Sequence, residues 1–194
     1  VVGLGNPGRK YRDTRHNAGF RVIDHLGEQH SIAVDTPLYL ALTGRWALQE
    51  HPVVLAKPST YMNRSGLSVA AAARGLGVEP GRVVVVHDDI DLEEGQLRVR
   101  FDGGSGGHRG VESIIWALGT RGFCRVRVGV GRPPEGWDAA EYVLEPLRER
   151  LLDDLDALCH SAARAIESIL VHGIEEAMRR FNGKGSRELP LTTC

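Results

Sequence analysis

Cysteine is scarce in this chain of 194 residues: Cys124, Cys159 and Cys194 are the only three, and none belongs to a CxxC pair. An odd number without metal-ligand spacing argues against a disulfide framework and a cysteine-built zinc site, and fits a reducing compartment. Long apolar runs are missing as well. No stretch approaches the roughly 18 residues that a membrane span needs, and no charged-then-apolar leader precedes the first strand, so the expected location is cytoplasmic. A surplus of either charge is also lacking, the formal net charge being -1. Taken alone, that balance speaks against a nucleic-acid partner, because phosphate binding needs clustered positive charge.

The balance conceals a segregation. Between positions 98 and 132, Arg98, Arg100, Arg109, Arg121, Arg125, Arg127 and Arg132 face only Asp102 and Glu112, whereas residues 133 to 194 carry 12 acids against 7 bases. Solvated surface charge is the bland explanation. Placement favours more, since Arg98 and Arg100 flank Val99 just as Arg125 and Arg127 flank Val126. On strands, a period of two sets each arginine pair on one face.

With 42% hydrophobic residues, the chain can bury one substantial core, and two halves would each approach the small-domain limit. We therefore expect one domain over residues 1–182, with 183–194 as a disordered tail. Apolar runs at Val1 to Leu4, Leu38 to Leu48, Val53 to Lys57, Gln96 to Phe101 and Arg125 to Val130 predict strands. The consecutive valines Val83 to Val86 predict a central strand covered on both faces. Helical spacing predicts helices over Asn17 to His30, Ser65 to Leu76, Val111 to Leu118, Leu147 to His172 and Ile174 to Phe181. Alternation of the two types predicts an α/β fold: a single-domain three-layer sandwich with a mixed, partly parallel central sheet and C-terminal helices.

Several segments carry chemistry. Gly3-Leu4-Gly5-Asn6-Pro7-Gly8 matches GxGxxG, but a dinucleotide site needs the glycine turn to open the helix that holds the pyrophosphate. Here a polar stretch, Arg9 to Arg15, intervenes. His16 stands at the mouth of the first expected helix, where a lone histidine is more often a surface or capping residue. The valine strand ends in His87-Asp88-Asp89-Ile90-Asp91, and the exit of a central strand is where ligand chemistry gathers in α/β folds. Those carboxylates suit a divalent metal, a solvated turn, or a histidine–carboxylate general base. Asn63, between strand and helix, reads as an N-cap or as a ligand-binding amide. The loop from Asp102 to Gly110 reads as a linker or as backbone shaped to approach a phosphate.

As an ordered set, these segments resemble the bacterial-type peptidyl-tRNA hydrolase family. The matching pieces are Gly3 to Gly8, Tyr11, Thr14-Arg15-His16-Asn17-Ala18-Gly19, Tyr61-Met62-Asn63-Arg64-Ser65-Gly66, His87 to Leu92, Gly106-Gly107-His108 and Arg125 to Pro133. The resemblance implies a monomer without cofactor, metal or membrane, acting on peptidyl-tRNA released when translation stalls. It implies His16 as catalytic base, Asp88 as the group holding it in its basic form, and Asn6 and Asn63 against the peptide main chain near the ester. Tyr11 and Tyr61 would line the tRNA end, with His108 in the same binding set, and Arg100 and Arg127 would grip phosphate. One position departs. After Gly107-His108 the best-known family pattern has asparagine, and this chain has Arg109, which cannot accept a hydrogen bond. A donor or phosphate-binding role remains open to it. The rival from another class is an RNA-binding module without turnover, and the joint presence of Asn6, His16, Asn63 and Asp88 favours the enzyme.

Overall fold

The computed structural model describes residues 1–49 and 51–183, so the expected tail lies outside the described residues apart from Gly183. In chain order the elements are β1 (Val2–Gly3), α1 (Ala18–Gln29), β2 (Thr36–Leu38), β3 (Ala41–Leu48), β4 (His51–Pro58), α2 (Ser65–Leu76), β5 (Val84–Asp89), β6 (Leu97–Phe101), α3 (Arg109–Leu118), β7 (Cys124–Gly129), α4 (Ala139–Leu144), α5 (Glu149–His172) and α6 (Ile174–Phe181). The strands form one seven-stranded sheet in the order β2-β3-β4-β1-β5-β7-β6. The central strands β4, β1, β5 and β7 run parallel, while β3 and β6 are antiparallel to their inner neighbours.

The valine run shows why the fold has three layers. Val84 and Val86 pack with α1 and α5 in one core, and Val85 packs with Val111 and Ile114 of α3 in the other. A strand apolar on both faces must be covered on both. The outer edge of β6 is closed by Asn182, whose side chain accepts from Val99 N at 2.7 Å and donates to Val99 O at 2.9 Å. That amide replaces a missing strand and blunts an edge open to pairing.

Three expectations need correction. The run Leu38 to Leu48 is not one strand: Tyr39 and Leu40, at φ 55 and 56, form a left-handed hairpin turn between β2 and β3. Asparagine and glycine usually mark such a turn. Here the Tyr39 ring lies so near Gly75 that a Cβ there would stand 2.3 Å from it. The helix α4 was not expected at all. The long helix begins at Glu149 rather than Leu147, whose backbone N–H instead donates to Asp13 O at 2.7 Å.

Gly19 sets the height of α1 on the sheet. A Cβ there would stand 2.3 Å from Leu4 N and 2.5 Å from Val86 O, so only glycine lets the helix start sink onto β1 and β5. The turn just before it, Arg15–Asn17, is thereby drawn down beside the end of β5.

Candidate active site

His16 lies in that turn and Asp88 lies near the carboxyl end of β5. His16 Nδ1 is 3.0 Å from both Asp88 oxygens, and Asp88 is only 2% exposed. A buried carboxylate there accepts a hydrogen bond from Nδ1–H, which leaves the lone pair on Nε2. Burial works to lower the His16 pKa, but the charge and hydrogen bond of Asp88 outweigh it, so the net shift is upward from 6.5, against a smaller opposing effect of Arg109. Burial likewise works to raise the Asp88 pKa, and the two imidazoles beside it win, holding it well below the carboxylate range.

The second imidazole belongs to His108. Its Nδ1 accepts from Gly110 N at 3.1 Å and Val111 N at 3.3 Å, capping α3, while its Nε2 is 3.0 Å from Asp88 Oδ1. Accepting two backbone N–H groups means that Nδ1 carries no proton. The proton is on Nε2 and points at Asp88. Behind both rings, His87 donates Nδ1–H to Asp88 O at 2.7 Å and leaves Nε2 buried without a partner. Burial, with the neighbouring His108, pushes the His87 pKa down to about 3, so this ring is neutral packing against His108.

Asn6 is fixed on three sides. Its backbone N–H donates to Asn17 Oδ1 at 2.8 Å, its carbonyl accepts from Asn17 Nδ2 at 3.0 Å, and its side-chain Oδ1 accepts from Met62 N at 2.8 Å. With the oxygen occupied, the Asn6 amide presents its NH₂ as the group available to a ligand. The turn holding His16 is pinned from the other side by Arg15, buried 4.0 Å over the Tyr142 ring of α4 and donating to Tyr142 O at 3.4 Å.

The remaining candidates lie around this centre. Asn63 and Arg109 line a common cleft of about 680 Å³ with Arg64 and Glu112. Asn63 is not a cap, because it lies inside the turn Met62–Arg64 and makes no capping bond to α2. Tyr61 is 59% exposed, and Tyr11 lies beneath the Lys10 ammonium, 4.7 Å from its ring centre. Arg100 and Arg127 stand farther out. In the β6–β7 ladder Arg98 faces Arg127 and Arg100 faces Arg125, so the two expected pairs meet on one face. Arg127 donates to Asp89 at 2.6 Å. Arg125 is buried, lies over the Phe123 ring and donates to Gly103 O and Gly104 O, which makes it the strut of the glycine loop.

The acidic cluster disperses. Asp88 serves the histidines, Asp89 pairs with Arg127, and Asp91 pairs with Arg132 at 2.8 Å. The ligand atoms that do converge, within 4.8 Å among the described residues, are those of His16, Asp88 and His108. They suit a metal poorly, because the ring nitrogens facing Asp88 hold protons that they donate to it. The glycine motif also fails the nucleotide test: the turns Arg9–Tyr11 and Arg15–Asn17 separate it from α1. No helix among the described residues is long and apolar enough to cross a membrane.

Sequence reasoning missed Asn17, the Asp88 bond of His108, and α4. A signal for α4 was present, since Asp138 precedes Glu141 by three residues and caps the helix through Ala140 N and Glu141 N, as an acidic variant of the capping box does.

A mixed-sheet α/β domain in which a buried carboxylate orients a histidine at the exit of a central strand is an α/β fold that offers a general base. Comparison with known proteins narrows this. The family model for peptidyl-tRNA hydrolase matches residues 1–189. The peptidyl-tRNA hydrolase of Moorella thermoacetica is 48% identical over 183 residues, covering 94% of this chain and 96% of that protein. That of Symbiobacterium thermophilum is 45% identical over 187 residues, covering 94% and 97%. The crystal structure of the Acinetobacter baumannii peptidyl-tRNA hydrolase superposes with a TM-score of 0.88 at 31% identity, covering 96% of this chain and 95% of that one. The chain belongs to the peptidyl-tRNA hydrolase family.

Proposed function

We propose that His16 is the general base by which this chain hydrolyses the ester joining a peptide, or an N-blocked amino acid, to the 3′ end of tRNA, recycling peptidyl-tRNA from stalled translation. The carrying observation is the 3.0 Å contact of His16 Nδ1 with buried Asp88, which leaves Nε2 as the basic nitrogen. Water bound at Nε2 gives up a proton as its oxygen adds to the ester carbonyl carbon. The oxyanion that forms faces NH₂ donors of Asn6 and Asn63, which stabilise it without accepting a proton. The carbon–oxygen bond to the ribose then breaks, and the His16 imidazolium returns the proton to the leaving 3′ oxygen.

In this reading Tyr11, Tyr61 and His108 shape the binding side, and Arg100 and Arg127 meet tRNA phosphate. Every group of the reacting cluster comes from one chain, so a monomer suffices, working without metal. The test is release of label from N-acetyl-aminoacyl-tRNA by purified protein and by His16→Ala. A loss of turnover of about a hundredfold or more with near-normal binding is expected, since general bases supply on the order of 10² to 10⁴. Near-normal turnover of His16→Ala removes it from the mechanism, and activity abolished by EDTA and restored by zinc or magnesium refutes the metal-free assignment.

A further inference from the structure

Trp116, on α3, is 85% exposed, the most exposed of the chain's large apolar side chains among the described residues. A tryptophan left so open is unusual, because its burial would stabilise the fold more than that of almost any other side chain. It stands on a ridge between two clefts. One holds Asn63, Arg64, Arg109 and Glu112, and the other holds Asp102, Thr120 and Arg121. None of Arg64, Arg109 and Arg121 takes part in an ion pair among the described residues. The ridge is therefore an indole flanked by uncommitted guanidinium groups.

Its position relative to the reacting centre is fixed by the helix. Arg109 opens α3 directly after His108, whose ring centre lies 5.0 Å from that of His16 and whose Nε2 is 3.0 Å from Asp88. Trp116 follows seven residues later, which is two turns and about 10 Å along the same face. A strand whose 3′ end reaches His16 and which runs along α3 thus passes Arg109 first and Trp116 one or two nucleotides further back. Exposed aromatic faces flanked by arginines are how unpaired nucleotides are held, because every base has a π-face and every link a phosphate.

We propose that Trp116 is a stacking platform for an unpaired base of the tRNA 3′ end upstream of the terminal adenosine, with Arg64, Arg109 and Arg121 as the cations for its phosphates. This rests on the functional reading above and adds a substrate-binding residue to it. The ligand is an unpaired ribonucleotide rather than a protein, because the flanking cations outnumber the acids and match a phosphate backbone.

Two measurements test it. For N-acetyl-aminoacyl-tRNA, Trp116→Ala should raise KM roughly fivefold or more with kcat kept, and Trp116→Phe should restore most of the loss. The same acyl ester on adenosine alone lacks the upstream bases, so its hydrolysis should not respond to either change. In a Trp46→Phe/Trp137→Phe background, where Trp116 is the remaining indole, the trinucleotide CCA should quench fluorescence. Unchanged KM for the full substrate together with unquenched fluorescence overturns the proposal, as does an equal loss on both substrates. A concentration-dependent change in elution volume caused by Trp116→Ala, without an effect on KM, assigns the ridge to a second copy of the chain instead and likewise overturns it. Wild-type protein that cleaves neither ester defeats the functional reading itself, while quenching by CCA still reports on the platform.

Discussion

The carboxylate of Asp88 accepts from His16 Nδ1 and from His108 Nε2, each at 3.0 Å, so one buried charge orients two imidazoles at once. Asp88→Asn tests the first of these bonds. An amide that keeps the bond to His108 through Oδ1 places its NH₂ about 3 Å from His16 Nδ1, which favours the tautomer with the proton on Nε2, the nitrogen that must be basic. Turnover should fall by about 10² to 10⁴. Because Asp88 is what raises the His16 pKa, the acid limb of the residual activity should also move to lower pH. A loss below tenfold in single-turnover hydrolysis would separate Asp88 from the tautomer.

The pH profile of the wild-type protein follows from the same shift. Only unprotonated His16 takes a proton, and its folded pKa is raised above 6.5, so kcat/KM should fall as pH drops through a midpoint above that value. Arg109 opposes protonation of His16. Arg109→Asn should therefore move the acid limb upward, weaken binding most at low salt, where a phosphate contact is least screened, and leave the plateau of kcat within a few-fold. We favour phosphate contact for Arg109, because it is exposed at the end of a glycine-rich loop and so poorly preorganised for an oxyanion. A large fall in kcat with unchanged KM would reverse that choice.

The sequence exposed this fold and site unevenly, for physical reasons. The valine run and the arginine alternation were readable because strand geometry ties side-chain direction to parity, and β5 and β7 obey it. The hairpin at Tyr39 and Leu40 was not, because no glycine or asparagine marks it and the contact that matters, with Gly75, is distant in sequence. His16, Asp88 and Asn6 became candidates through ordered motifs, yet no local pattern shows that His16 and Asp88 touch across 72 positions. His108 was expected only on the binding side. Its bond to Asp88 depends on where α3 starts, which its own capping nitrogen decides.

His108 can be divided into its two jobs. His108→Ala removes the cap of α3 and the second donor to Asp88, and should cost about 1 kcal/mol of stability together with roughly tenfold in turnover. His108→Asn restores a capping oxygen but is too short to reach Asp88. Its melting temperature should recover towards wild type while turnover stays low. Recovery of both by asparagine would reduce His108 to a helix cap.

The arginines of the β6–β7 ladder should also divide by burial. Facing like charges across a ladder destabilise a sheet, so this face gains from an anion that covers it. Arg125, buried under the glycine loop, is the exception: Arg125→Ala leaves Gly103 O and Gly104 O without their donor and should cost about 1–3 kcal/mol of stability. Arg100 makes no ion pair among the described residues and is exposed, so Arg100→Ala should leave stability and kcat unchanged, raise KM, and reduce the slope of log affinity against log salt by about 1. Arg127→Ala should weaken binding further, because it also frees the carboxylate of Asp89, 2.6 Å from it, to repel phosphate. Measuring KM from 50 to 200 mM salt for the three variants separates these roles. An unchanged salt slope in the Arg100→Ala/Arg127→Ala protein would place the phosphate grip on another surface.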